Sequence, residues 1–316
     1  MTLELQPVDL LVTNARELAT AIGSKARGGA ELGAIQVIAG GSIAVKAERI
    51  VAVGSEADLR ARFRAAHILD AGGGTLVPGF VDAHTHPVFA GTREDEFELR
   101  TRGATYVEIA AQGGGILSSV RGVRESSREV LLARLLLRLD RFLELGTTTI
   151  EAKSGYGLTT ADELKSLEVI AAARAQHPVE IVPTFLGAHD FPLEFRDKKP
   201  AYVDLVVNEM LPRVASSKLA EYCDVFTEGH VFGIDDSRRI LKRALELGLR
   251  PRLHADQLSQ LGGAQLAAEV GAASADHLEF ADDAGLDAMK AAGVCRSCAR
   301  SCRSTCASSA KRPVAA

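Results

Sequence analysis

Residues Val77–Pro87 read VPGFVDAHTHP, an apolar run that ends in Asp82, His84 and His86 at alternate positions. Alternate side chains on an extended strand share one face. Two imidazoles a strand repeat apart can therefore chelate one divalent cation. The plain alternative is a pair of histidines in a turn before Pro87. A third histidine, His254, closes the run RPRLH and is followed by Asp256 and Gln257. Three imidazoles and one open position make a catalytic metal site rather than a closed structural one. The water in such a site falls in pKa from about 15.7 to about 7. His189, His230 and His277 stand at similar places, after VEIVPTFLGA, CDVFTEG and AASAD, and Tyr156 lies in SGYG.

The elements that must position these residues alternate. Apolar runs rich in Val and Ile are followed by helical patterns at 126–146, 160–175, 202–219 and three further places up to Gly293. Thr160 and Glu163 stand at capping-box spacing. Strands apolar on both faces, alternating with helices, predict a parallel sheet covered by helices. Polar residues at the end of each successive strand favour a (β/α)8 barrel, with function at the C-terminal ends of its strands. A doubly wound open sheet would gather function at one crevice instead. About six strand–helix units are visible, so the α/β barrel is incomplete. It is assigned to residues 76–293, after a small β-sandwich-like unit at 1–75 whose short strands are separated by Gly-rich or charged turns.

With 316 residues, 47% hydrophobic and 25% charged, the chain has the composition of a globular protein. A net charge of -4 argues against nucleic acid as a partner. No apolar stretch approaches the roughly 18 residues of a membrane span, and the N-terminus does not read as a secretory signal. The expectation is a cytoplasmic protein with no membrane partner. Neither Gly-Gly-Gly run, at 72–74 or 113–115, leads into the Gly-Lys-Ser/Thr start of a phosphate loop. Four of the five cysteines fall between Cys295 and Cys306. Their spacing could hold zinc or an iron–sulfur cluster, although Arg and Ser fill the gaps. The tail at 294–316 has no Leu, Ile, Phe or acidic residue, and no seventh barrel strand is predicted there.

The Asp-x-His-x-His of VPGFVDAHTHP resembles the first-strand motif of the amidohydrolase superfamily. Together with EAKSGYGL, AAQGGGILSSVR, TFLGAHD, HADQ and SADHLE, it is similar to the imidazolonepropionase family of histidine degradation, from about residue 7 to about residue 293. The resemblance implies that His84, His86 and His254 hold one zinc or iron ion. It implies that Arg93 binds the substrate's carboxylate, a group that a guanidinium fork suits. Tyr156, His189 and Gln257 become substrate contacts, and His277, with Gln257, a catalytic group near a metal-activated water. His230 receives no role. The implied reaction opens the cyclic amide of 4-imidazolone-5-propanoate to N-formimidoyl-L-glutamate, with that small molecule as partner and a homodimer as assembly.

The family also places an aspartate ligand on an eighth strand, and residues 294–316 do not resemble the family. The expectation is a frameshift near Val294, and a chain that is poorly soluble and close to inactive as written. Two other functions stand beside this one. One is a different cyclic amidohydrolase or deaminase. The other is a non-catalytic metal-binding protein that uses the C-terminal cysteines.

Overall fold

The computed structural model describes residues 4–21, 23, 31, 33–105, 108–109 and 113–297. The chain divides into two compact units, Met1–Gly79 and Phe80–Ala316. The first is built on β1 (Gln6–Thr13), β2 (Glu17–Ala21), β3 (Ile35–Ala39), β4 (Gly41–Lys46), β5 (Arg49–Ser55), β6 (Phe63–Asp70) and β7 (Thr75–Leu76). They form a four-stranded sheet in the order β5-β4-β1-β6 and a three-stranded one in the order β3-β2-β7. Val8, Leu11, Ala44, Leu59 and Phe63 make a small core.

The second unit is one parallel sheet in sequential order: β8 (Phe80–Asp82), β9 (Thr147–Lys153), β10 (Glu180–Ala188), β11 (Tyr222–Thr227), β12 (Arg250–Ala255), β13 (Ser274–His277) and β14 (Cys295–Ser297). A helix intervenes between each pair of consecutive strands. The helix at Arg128–Glu144 shows how the sequence builds these layers. Ser127 caps it by accepting from the Val130 amide, which satisfies one of the donors a helix start leaves free. Leu131, Leu135 and Leu139 recur every four residues and are fully buried, so one stripe of the helix enters the core. Gly146 follows with φ +86°, a conformation that glycine adopts without penalty.

Three local features differ from expectation. A seventh strand does form: Cys295, Arg296 and Ser297 pair in parallel with Ser274, Ala275 and Asp276. Pairing at a sheet edge is made by the backbone and needs no apolar side chain, so the composition of the tail misled. Cys298, Cys302 and Cys306 lie outside the described residues. The strand expected across LVPGFVDA is broken, with only Phe80–Asp82 in the barrel sheet. Pro78, which has no N–H to give a ladder, interrupts it. Finally, the helix at Thr160–Arg174 is capped by Thr159, whose hydroxyl accepts from the Asp162 amide. Glu163 turns away from that cap to other amides, described below. Among the described residues no helix is long and apolar enough to cross a membrane.

Candidate active site

β9 to β13 end at a common side of the sheet, and their last residues converge on the segment that follows β8. His84 and His86 lie beyond the pleat of β8, in an extended stretch pinned from several sides. Asp82 accepts from the His84 amide at 3.3 Å. The Thr85 carbonyl receives the Lys153 amide at 3.1 Å. Arg252, from β12, donates to the Ala83 carbonyl at 2.8 Å. The two imidazoles are thus held by backbone contacts to neighbouring strands, and Asp82 serves as the cap of their turn.

Five imidazoles meet here. Ring centres are 4.5 Å apart for His84–His254, 4.8 Å for His86–His189, 5.0 Å for His84–His277 and 5.2 Å for His86–His254. The Nε2 atoms of His86 and His254 are 3.2 Å apart. Burial, with the neighbouring imidazoles and Lys153, holds both of these histidines well below the usual imidazole pKa. Burial likewise brings His189 down to about 4. At neutral pH these rings carry lone pairs and no positive charge. The Nδ1 of His189 lies 2.9 Å from the Gly155 carbonyl. A carbonyl can only accept, so Nδ1 carries the proton and Nε2 keeps its lone pair.

These atoms fit a cation. Two nitrogens bound to one tetrahedral ion at ordinary zinc–nitrogen distances stand about 3.3 Å apart, close to the His86–His254 separation. Compact donor sets are His84/His254/His277, His86/His189/His254, His84/Glu151/Asp276 and Asp224/His254/Asp276. The trio expected from the sequence, His84, His86 and His254, is divided between the first two of these, with His254 common to both.

Beneath the rings lies a charged layer that the sequence reading passed over. Lys153, fully buried, donates to Glu151 at 2.8 Å, Asp224 at 2.7 Å and Asp276 at 3.4 Å. Asp276 stands 2.8 Å from His84 Nδ1, and Asp224 3.0 Å from His254 Nδ1. Burial opposes ionisation of Asp276, yet Lys153, His84 and Arg252 hold its carboxyl well below the usual range. A signal was present, because IEAK, CDVF and SADH each place a charge inside an apolar strand. That is costly unless the charge is paired. Asp276 escaped notice for a geometric reason. His277 and Leu278 have φ +75° and +64°, so the strand leaves its pleat and two consecutive side chains, Asp276 and His277, both reach His84.

The mouth is completed by loops. Glu163 accepts from the amides of Gly155, Gly157 and Leu158 at 3.0, 2.8 and 2.9 Å. This shapes the SGYG turn and presents Tyr156, whose ring centre is 5.8 Å from that of His86. A Cβ at Gly157 would come within 2.5 Å of the Asp162 backbone, so only glycine fits there. Burial raises the Tyr156 phenol's pKa, opposed by Arg93, and keeps its proton. A cavity of about 420 Å³ is lined by His86, Arg93, Phe97, Ser119 and Tyr156 among others. Arg93 stands at the start of the helix Glu94–Thr101. Gln257 is half-buried three residues beyond His254, and His230 is exposed, its ring centre 5.6 Å from that of Phe226, which packs against His189 and His254.

A sheet whose strand ends carry such a cluster is the architecture of amidohydrolase-type enzymes. Adenosine deaminase from Xanthomonas campestris with bound zinc superposes with a TM-score of 0.61 at 20% identity, over 93% of this chain and 63% of that one. Guanine deaminase from E. coli gives 0.68 at 12% identity, over 94% and 68%. No family model matches the chain. Sequence relatives define it more narrowly. The imidazolonepropionase of Symbiobacterium thermophilum is 51% identical over 298 residues, 93% of this chain and 70% of that protein. That of Solibacter usitatus is 50% identical over 288 residues, 90% and 69%. The chain belongs to the imidazolonepropionase family.

Proposed function

We propose that this site hydrolyses the ring amide of 4-imidazolone-5-propanoate to N-formimidoyl-L-glutamate, with one divalent ion, zinc or iron, held among His84, His86 and His254. The observation that carries the reading is the convergence of five imidazoles, those of His189, His254 and His277 buried, beside a cavity lined in part by Arg93. An ion in this place supplies Lewis acidity toward the ring carbonyl and a water acidic enough to attack at neutral pH.

The chain's own groups do the rest. Arg93 pairs with the propionate of the substrate and leaves the ring turned toward the histidines. Tyr156, a phenol that keeps its proton, donates to the substrate from the side of His86. His189 stacks on His86 and offers Nε2 as an acceptor, since its other nitrogen is committed to Gly155. His277 faces His84 and His254 and can take the proton of the attacking water and return it to the leaving nitrogen. Gln257 contributes an amide at the end of β12. The substrate is a small molecule, and the protein works without nucleic acid or membrane.

Two measurements on the purified full chain test this. Zinc titration followed by metal analysis should find one equivalent bound, lost in His84→Ala and His254→Ala. Disappearance of imidazolonepropionate should need that metal, and Arg93→Ala should raise KM at least tenfold with a smaller change in kcat. A folded chain whose zinc uptake is unchanged in both His84→Ala and His254→Ala would sink the assignment.

A further inference from the structure

Lys153 is a lysine ammonium with no exposure, on β9, with carboxylates from β9, β11 and β13 around it. It touches no imidazole ring in a hydrogen bond and lines no cavity described above. Two of its three partners, Asp224 and Asp276, are the carboxylates that stand against the Nδ1 atoms of His254 and His84. The Asp276 Oδ2 atom that faces His84 is the one 3.4 Å from Lys153, and the Asp224 Oδ2 atom that faces His254 is the one 2.7 Å from it. Arg252 braces the same layer, 3.1 Å from Glu151 and 3.4 Å from Asp276. Three carboxylates against Lys153 and Arg252 leave one negative charge beneath the rings, a field that favours a cation above them.

We propose that Lys153 is a positioning residue, the hub that sets Asp224 and Asp276 so that His254 and His84 present their other ring nitrogens to a shared cation. The proposal rests on the metal-dependent reading above and extends it to a residue that touches neither ion nor substrate. A carboxylate beside Nδ1 favours the proton there, which leaves Nε2 as the free donor atom. Without the hub the two aspartates would separate by mutual repulsion, and the rings would lose both tautomer and direction.

The test uses two variants of the full chain. Lys153→Arg keeps the buried charge, but a planar fork cannot reach three carboxylates from one point. Lys153→Met combined with Glu151→Gln removes one charge of each sign and spares Asp224 and Asp276. Two readouts are taken after folding is verified by circular dichroism. Long-range 1H–15N spectra of the metal-free protein report ring tautomers. In the parent chain His84 and His254 should each show one tautomer, protonated at Nδ1, and in at least one variant a mixture. Cobalt titration, read from its visible ligand-field bands, should show affinity weakened at least tenfold and shifted bands in the same variant. Folded variants with unchanged tautomers and unchanged cobalt affinity would overturn the role of Lys153. A parent chain that shows the expected tautomers but takes up no cobalt would instead overturn the metal-dependent reading and leave the hub standing.

Discussion

The inner strands of the second unit and the strand that carries the histidine pair are built on opposite terms. From β10 to β13 nearly every residue is buried, and Phe185, Leu186, Val225 and Leu253 have no exposure. β8 has three residues, of which Phe80 and Val81 are 57% and 66% exposed. Yet the site draws on both. His254 and His277 sit on strands paired on each side. His84 and His86 follow a strand paired to β9 alone among the described residues. The inner half of the site is held by side-chain packing. The outer half is held by hydrogen bonds to backbone groups at Ala83 and Thr85. A metal site can evidently be assembled with one wall fixed by the core and the other by a few polar ties.

That contrast can be broken or sharpened by experiment. Phe185→Ala, in the inner strand β10, should destabilise the fold by about 3–5 kcal/mol through the cavity it leaves, read as a fall in the urea midpoint. Acidification should act next, and on the inner half. The pKa of His189 in the fold is about 4, against roughly 6.5 in an unfolded chain. Its folded pKa lies below its unfolded one, so the unfolded state binds the proton first. Stability is complete above about pH 6.5 and is lost as pH falls toward 4, by about 3 kcal/mol for this ring alone. Urea melts between pH 7 and 4.5 should show the decline, and His189→Phe should flatten it. Glu163→Ala strips the buried amides of Gly155, Gly157 and Leu158 of their acceptor. A cost of about 2 kcal/mol is expected, together with faster hydrogen exchange at those amides. Ser127→Ala should cost about 1 kcal/mol as a lost helix cap. Val81→Ala, on the exposed strand, should stay within about 0.5 kcal/mol. A large loss there would show that β8 is covered in solution and erase the comparison.

The architecture and the imidazoles were legible because both rest on periodicity. Alternate polar residues at the end of an apolar run put His84 and His86 side by side, and repeated strand–helix rhythm announced a parallel sheet. What escaped depended on departures from periodicity. Strand alternation places Asp276 and His277 on opposite faces, whereas the backbone at the end of the strand turns both toward His84. Glu163 fits a capping box by spacing, but Thr159 and Asp162 serve that role and free Glu163 for the SGYG turn. Lys153 reads as one more polar residue in EAKSG. Only the arrangement of three strands, β9, β11 and β13, reveals that its ammonium is enclosed by carboxylates. The edge strand at Cys295–Ser297 escaped because its pairing is independent of side-chain type.

The backbone at His277 and Leu278 has one more consequence. Two L-residues in succession with positive φ each cost about 1–2 kcal/mol over the ordinary right-handed form. No local preference would draw the chain into that shape, so the turn must wait for its surroundings. The imidazole of His277 should be the last of the five to arrive as the protein folds. Substitution of Leu278 by Gly should then alter the unfolding rate while leaving the folding rate nearly untouched. A matching change in the folding rate would mean that the turn is already wound when the barrier is crossed.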